Sequence, residues 1–287
     1  MSGPGGRSGK ADDWPRASDW LAGRSKDAEA LVVAGVPLTA GAVTPAGYEQ
    51  GPAAVRARLA KLSTWHGDWR IALEDVPVRD LGDSVVPPPL SAPLTILVGG
   101  HNAVTWHALR GQELDRWGLL TLDAHHDVRP FKPGAVGNGS PVRALIDAGL
   151  PGANVVQVGI HGFSNSRAHR EWCESQGVHV HGPDSVADVP SFLDDLAARC
   201  EEIYVDIDLD VLDRAFAPAC PGSRPGGVSP HLLFDAAFAA GAHPQVRAVD
   251  IVELDPLADV AHITTDTAAL ALLNVAAGYV ARVQPDP

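Results

Sequence analysis

Trp117-Gly118-Leu119-Leu120-Thr121-Leu122 runs straight into Asp123-Ala124-His125-His126-Asp127. The first six residues form an apolar run of strand length, and four of the next five are ionisable. So abrupt a change from apolar to crowded acid marks the carboxyl end of a parallel strand, the edge where open α/β sheets build their sites. Two carboxylates buried this close either meet a cation or take up protons, because an unpaired buried charge is too unfavourable to keep. A solvated Asp/His turn is the competing reading. Acids are so seldom buried without partners that the stretch reads as a metal nest.

Three more segments end a strand in the same way. Leu94-Thr95-Ile96-Leu97-Val98 leads to Gly99-Gly100-His101-Asn102, Glu202-Ile203-Tyr204-Val205 leads to Asp206-Ile207-Asp208-Leu209-Asp210, and the strand at 246–252 leads to Glu253. Alternation along a strand sends Asp206, Asp208 and Asp210 to one side at about 7 Å spacing, which calls for a counter-cation or at least one neutral acid. Asp206 reads as a neutral or paired acid behind the ligands. Four such strand ends on one side of one sheet converge on a single cleft. Oxygen-rich sites with one or two imidazoles suit Mn²⁺ better than structural Zn²⁺.

Outward from this centre, further strands read at 31–36, 154–160 and 177–180. Helices read at 51–62, 103–112, 140–149, 191–200, 230–241 and 266–283. Strands alternating with helices, without internal repeats, predict one doubly wound, mostly parallel sheet covered on both faces. The Pro-rich stretch 75–93 reads as a connection. Residues 1–29 read as a mobile leader that Trp14 and Trp20 pin in part, and 30–287 as a single catalytic domain.

The bulk properties exclude other classes. A formal charge of −13 and a pI near 5.2 argue against nucleic acid or an anionic membrane as partner. The partner is then a small molecule, and an anionic one would need a locally placed arginine. The three cysteines, Cys173, Cys200 and Cys220, lack paired spacing and read as reduced thiols of a cytoplasmic protein. No apolar run approaches the ~20 residues of a membrane helix, and the N-terminus lacks the apolar core of a signal peptide. His107, His169, His179, His181, His231 and His243 have no ligand spacing and read as surface or core residues. A homo-oligomer is compatible with all of this.

Val98–Gly111, Leu120–Asp127 and Val205–Gly227 resemble the three signature segments of the ureohydrolase family, the arginase/agmatinase/formimidoylglutamase group. The resemblance implies a three-layer α/β/α sandwich and two Mn²⁺ per chain that hydrolyse amidine or guanidine groups. Asp123 and Asp127 would bind one or both ions and His125 the second. Asp213-Arg214-Ala215-Phe216-Ala217-Pro218 sets the third register, making Asp208 and Asp210 ligands, with Asp208 bridging. Asp206 then stands where the family usually has a hydroxyl residue, and Arg214 replaces its usual proline. The first signature normally reads Gly-Gly-x-His. Matching it to Gly99-Gly100 puts Asn102 at the ligand position; sliding by one makes His101 the ligand, with Val98 in place of the first glycine. The His101 register keeps an imidazole and is the expected one, with the first metal site weaker than the second.

The combination of 123–129, 138–143 and 217–222 looks most like the formimidoylglutamase branch. Asn138 stands where arginases carry a histidine thought to shuttle protons, which argues against ordinary arginase activity. The implied reaction is N-formimino-L-glutamate plus water to L-glutamate plus formamide, a step of histidine degradation. Glu253 would receive the amidinium, Asp127 would relay a proton, and Asp123, Asp127, Asp208 and Asp210 would balance two divalent cations. Arg129 would pair with the substrate's carboxylates, Arg143 is a second candidate, and Asn138 completes the substrate set. His161, Phe163 and Asn165 fall on a loop beside the pocket. Alternatives are hydrolysis of agmatine, a guanidino acid or an N-hydroxyguanidine such as N-hydroxyarginine, or a metal-depleted, non-catalytic relative.

Overall fold

The computed structural model describes residues 14–23, 25, 27, 30–132 and 134–284. Its strands are β1 (Leu31–Val36), β2 (Trp65–His66), β3 (Ile71–Ala72), β4 (Val78–Asp83), β5 (Thr95–Gly99), β6 (Trp117–Leu122), β7 (Val155–Val158), β8 (His179–His181), β9 (Glu202–Asp208) and β10 (Val246–Val252). The helices are α1 (Ala17–Leu21), α2 (Gly51–Leu59), α3 (Val104–Leu109), α4 (Pro141–Asp147), α5 (Arg167–Ser175), α6 (Val189–Ala197), α7 (Pro230–Ala242) and α8 (Ile263–Val283). Eight strands form one sheet in the order β4-β1-β5-β10-β9-β6-β7-β8, and every ladder in it is parallel. The short β2–β3 pair is an antiparallel hairpin outside that sheet.

Successive residues of a strand serve opposite faces, and two cores result. Leu31, Val33, Leu120 and Leu122 pack into one with residues of α2, α6, α7 and α8. Val36, Trp117 and Leu119 pack into the other with residues of α3, α4 and α5. With both faces covered, β6 is buried along its whole length, which is why its sequence is continuously apolar rather than alternating. The result is the expected doubly wound, three-layer α/β/α sandwich. Helix α8 is long and apolar enough to cross a membrane by composition, yet 83% of its most apolar window is buried within the protein. It is a core helix, and Gly278 lets it close on α7: a Cβ there would lie 2.1 Å from the Phe238 carbonyl oxygen.

The chain passes from β5 to β6 across a gap of two strand positions, later filled by β9 and β10. The four strands that end in polar residues are therefore neighbours in mid-sheet, in the order β5-β10-β9-β6. A cleft forms at such a switch point because the loops on its two sides run apart.

Two local expectations need correction, and a third holds in part. The stretch 75–93 contains an edge strand, β4, paired in parallel with β1. Its sequence is polar because its outer half faces solvent, and Arg56 holds it from α2 through Asp80 (Nε–Oδ2 2.7 Å) and Asp83. The leader is pinned by Trp20 as expected, whereas Trp14 is exposed: α1 buries Trp20, whose Nε1 donates to the Val76 carbonyl, and Ala17 N–H donates to Leu62 O at 3.0 Å. Residues 1–13 lie outside the described residues. Helix α5 was not expected at all, because only Cys173 of its nine residues is buried and most of the others are polar or charged.

Candidate metal centre

Backbone turns at the ends of β6 and β9 lock the acids together. Asp123 Oδ1 accepts from His125 N–H at 2.6 Å, Asp210 Oδ1 from Ala124 N–H at 2.9 Å, and Asp208 Oδ1 from Asp210 N–H at 2.8 Å. His125 Nδ1 lies 2.6 Å from Asp210 Oδ2 and 3.5 Å from Asp123 Oδ1. Two groups result, Asp123–His125–Asp210 and Asp123–Asp127–Asp208, each with ligand atoms within 4.8 Å of one another. Asp123 is the shared member, whereas the family resemblance gives the bridging role to Asp208. Gly222 closes over the cluster, since a Cβ there would come within 2.1 Å of Asp210 Oδ2.

The local electrostatics call for a cation. Burial, reinforced by Asp210, pushes the Asp123 carboxyl up to about 8. Burial also holds Asp127 and Asp208 well above their ordinary range, with Asp123 adding to the first and Asp210 to the second. Burial would lower His125, but Asp123 and Asp210 outweigh it and carry the imidazole up to about 11. The same ion pair brings Asp210 below its ordinary value although burial opposes it. One imidazolium is thus the cation inside a group of four buried acids. Divalent cations fit this donor set better, because they satisfy oxygens that otherwise retain protons.

The first signature follows the register that was not expected. His101 is fully buried and turned away, with Nε2 against the Ala40 carbonyl at 2.9 Å. Asn102 faces the cluster instead, its Nδ2 donating to Asp127 Oδ2 at 2.9 Å and to Asp123 Oδ2 at 3.2 Å. Backbone packing decides this: Gly100 passes so close to Leu38 that a Cβ would fall 2.1 Å from the Leu38 oxygen. The glycine pair must therefore be Gly99-Gly100, and the second residue after it points inward.

Behind the ligands, Asp206 and Asp250 face each other across β9 and β10, both fully buried. Burial and the neighbouring Asp250 keep Asp206 protonated well above its ordinary range, as expected for a neutral acid. Asp250 Oδ2 accepts from Tyr204 Oη at 2.9 Å and Thr105 Oγ1 at 2.8 Å.

Glu253 hangs over the opposite side of the cleft. Its Oε1 accepts from Asn102 N–H at 2.9 Å and Asn138 Nδ2 at 3.0 Å, and burial outweighs these bonds to push its carboxyl up to about 7. Asp127 and Glu253 both have left-handed backbones, with φ of 52° and 68°, a conformation that non-glycine residues adopt at a cost and mostly where function demands it. Asn165 braces the metal turn by accepting from His126 N–H and donating to Ala124 O.

A cavity of about 300 Å³ opens beside these groups, and Asp127, Glu253, Asn138, Arg129 and Arg224 are among its lining residues. Tyr48 and His169 also line it; Tyr48 was not singled out from the sequence, and His169 was read there only as a surface or core residue. His169 rides on the unexpected α5, and Tyr48 opens a short 3₁₀ turn, Tyr48–Gln50, without motif character. Arg143, expected as a substrate contact, does not line the cavity. Its guanidinium lies 4.8 Å above the Trp172 ring and 3.5 Å from Asp147, one helical turn on. Arg143→Ala is therefore expected to cost about 1 kcal/mol in urea unfolding while KM stays within about twofold. A tenfold rise in KM would restore Arg143 to the binding set.

Comparison with known proteins agrees with this geometry. The Arginase family model matches residues 29–278. The formimidoylglutamase of Halalkalibacterium halodurans is 31% identical over 272 residues, covering 85% of each chain. The crystal structure of the Bacillus subtilis formimidoylglutamase superimposes with a TM-score of 0.85 at 27% identity, over 98% of this chain and 96% of that one. The Trypanosoma cruzi formiminoglutamase, solved with Mn²⁺, has the same fold, with a TM-score of 0.83 at 23% identity over 94% of this chain and all of that one. Sheet order, strand-end acids and the extent of the match lead to one assignment: the chain belongs to the arginase family.

Proposed function

We propose that this arginase-family hydrolase is a manganese-dependent formimidoylglutamase, converting N-formimino-L-glutamate and water to L-glutamate and formamide in cytoplasmic histidine degradation. The observation that carries the proposal is a single cavity lined by both acids and arginines. Asp127 and Glu253 suit a cationic amidinium, and Arg129 suits a carboxylate. Agmatine, whose tail ends in an ammonium, would meet Arg129 with like charge.

Asp123, Asp127, Asp208, Asp210 and His125 would hold the metal, with Asn102 offering only a neutral amide beside them. Manganese, when bound there, supplies a Lewis acid that makes hydroxide available near neutral pH. Glu253 orients the substrate: its carboxylate, fixed by Asn102 N–H and Asn138, takes the formimino nitrogen that carries positive charge. Asn138 is itself fixed, because its Oδ1 accepts from Val43 N–H at 2.8 Å. Attack on the formimino carbon gives a tetrahedral adduct. Asp127 passes the proton from the attacking oxygen to the departing glutamate nitrogen, and the C–N bond breaks to leave formamide.

The test is formamide release from N-formimino-L-glutamate, with agmatine, guanidinobutyrate and N-hydroxyarginine in parallel, with and without added Mn²⁺. Mn²⁺-dependent formamide release at the highest kcat/KM of the panel is the expected result. Faster release of urea from agmatine, or no product from any amidine, would overturn the proposal.

A further inference from the structure

We infer that Arg224, together with Arg129, grips a substrate that carries two carboxylates, one guanidinium to each. Arg224 has this role only if the substrate is the dicarboxylate amidine proposed above.

Among the described residues, neither arginine has a carboxylate partner within ion-pair distance. Both arginines line the cavity beside the acid cluster. A cation left without an acid, beside a cleft full of acids, is reserved for an anion that arrives from outside.

Arg224 is also held in place. Its Nη1 donates to the carbonyls of Ser223, Gly222 and Pro221 at 2.8, 3.0 and 3.2 Å, leaving Nε and Nη2 without partners among the described residues. Its backbone is pinned too. Arg214 N–H donates to Arg224 O at 3.1 Å, and the next residues are tied through His161 Nε2 to Pro225 O and through Gly226 N–H to Asp213 Oδ2. Ordering that would otherwise oppose binding is already in place in the free protein. The same loop brings Gly222 against Asp210, so the guanidinium is built into the segment that closes the metal cluster. Arg129 is set from the other side, its N–H donating to Gly139 O at 2.8 Å and its side chain packed over Gly139. Ser164 adds a buried hydroxyl without a partner among the described residues, on the lining of the same cavity.

Both arginines are exposed until a ligand covers them, so the expected effect is that of a partly screened, charge-assisted pair. Arg224→Ala is expected to raise KM for N-formimino-L-glutamate about tenfold while kcat stays within about twofold, and Arg224→Lys to recover part of the loss. Two truncated substrates read the pairing directly. N-formimino-γ-aminobutyrate lacks the α-carboxylate and N-formimino-α-aminobutyrate lacks the distal one. The alanine substitution weakens one of them and leaves the other unchanged if Arg224 serves a single carboxylate; equal effects on both, or none on either, overturn the inference.

Melting curves of the variants exclude misfolding as the cause. If the unsubstituted enzyme releases no formamide, the proposed function fails, and glutarate binding measured by calorimetry decides about Arg224. A tenfold weaker affinity in Arg224→Ala keeps the dicarboxylate grip, and an unchanged affinity removes it.

Discussion

The Asp123→Asn variant is expected to lose at least about a thousandfold in turnover and yet to melt higher than the unsubstituted protein in EDTA at about pH 8. The two effects have one origin. Asp123 is the member common to both candidate ligand groups, so its loss weakens both positions at once. Without metal the same carboxyl is a buried acid crowded by Asp210, and removing its charge relieves a repulsion. The amide is nearly the same size, so the substitution leaves no cavity. A residue that merely supported the fold would lower both activity and melting temperature. Parallel loss of both would sink the metal reading of Asp123.

The pH dependence of the metal-free protein follows from the same groups. Asp123, Asp127, Asp208 and Glu253 bind their protons more tightly in the folded chain than in the unfolded one. Such acids favour folding at low pH, and the advantage is lost as pH rises from about 4 through each raised folded value. His125 works in the same sense over a higher window: its ion pairs stabilise fully below about 6.5 and fade as pH rises toward about 11. Burial lowers His101 and His126, which oppose this trend below about 6.5, so melting temperature in EDTA is expected to fall between about pH 7 and pH 9, with a shallower slope in Asp123→Asn. Added Mn²⁺ should reverse the slope, because metal competes with protons for the same oxygens. A melting temperature in EDTA that climbs with pH over that range would contradict the buried-acid account.

Periodicity and strand-end chemistry made the fold and most of the site legible. Residues 117–127 alone imply a parallel strand, its direction and the edge where the chemistry lies. The rest was hidden for physical reasons. His101 was favoured over Asn102 on donor chemistry, but the choice belongs to Gly100, which must pass close to the Leu38 backbone, and a contact 62 residues away in sequence leaves no local signature. Strand β4 escaped notice because an edge strand need not be apolar on its outer half. Arg143 was named as a substrate ligand and Arg224 was not, since Trp172, which occupies the Arg143 guanidinium, lies on a different helix and Arg224 stands outside the 217–222 motif. The spacing of Arg224, two residues beyond the glycine that closes on Asp210, was the one local signal available.

Replacing Glu253 by glutamine is expected to reduce kcat/KM by about a hundred- to a thousandfold, a loss typical of removing one preorganised electrostatic partner. Glutamine fills the same space and can still accept the Asn102 N–H, so the backbone turn at φ 68° and the Asn138 contact are retained while the charge is not. What disappears is the carboxylate opposite the amidinium. In the unsubstituted enzyme that carboxylate must be ionised to bind its cation. Burial holds it up to about 7 in the metal-free protein, and bound divalent ions draw it lower. The rate should therefore fall with decreasing pH along a limb at or below about 7, and that limb should vanish in Glu253→Gln, leaving a flat, low profile. Glu253→Asp keeps the charge but withdraws it by one methylene, so it should retain the limb with reduced activity. A glutamine variant that kept both full activity and the acidic limb would show that another group receives the amidinium, and Asp127, on the facing side of the cleft, would be the first to substitute.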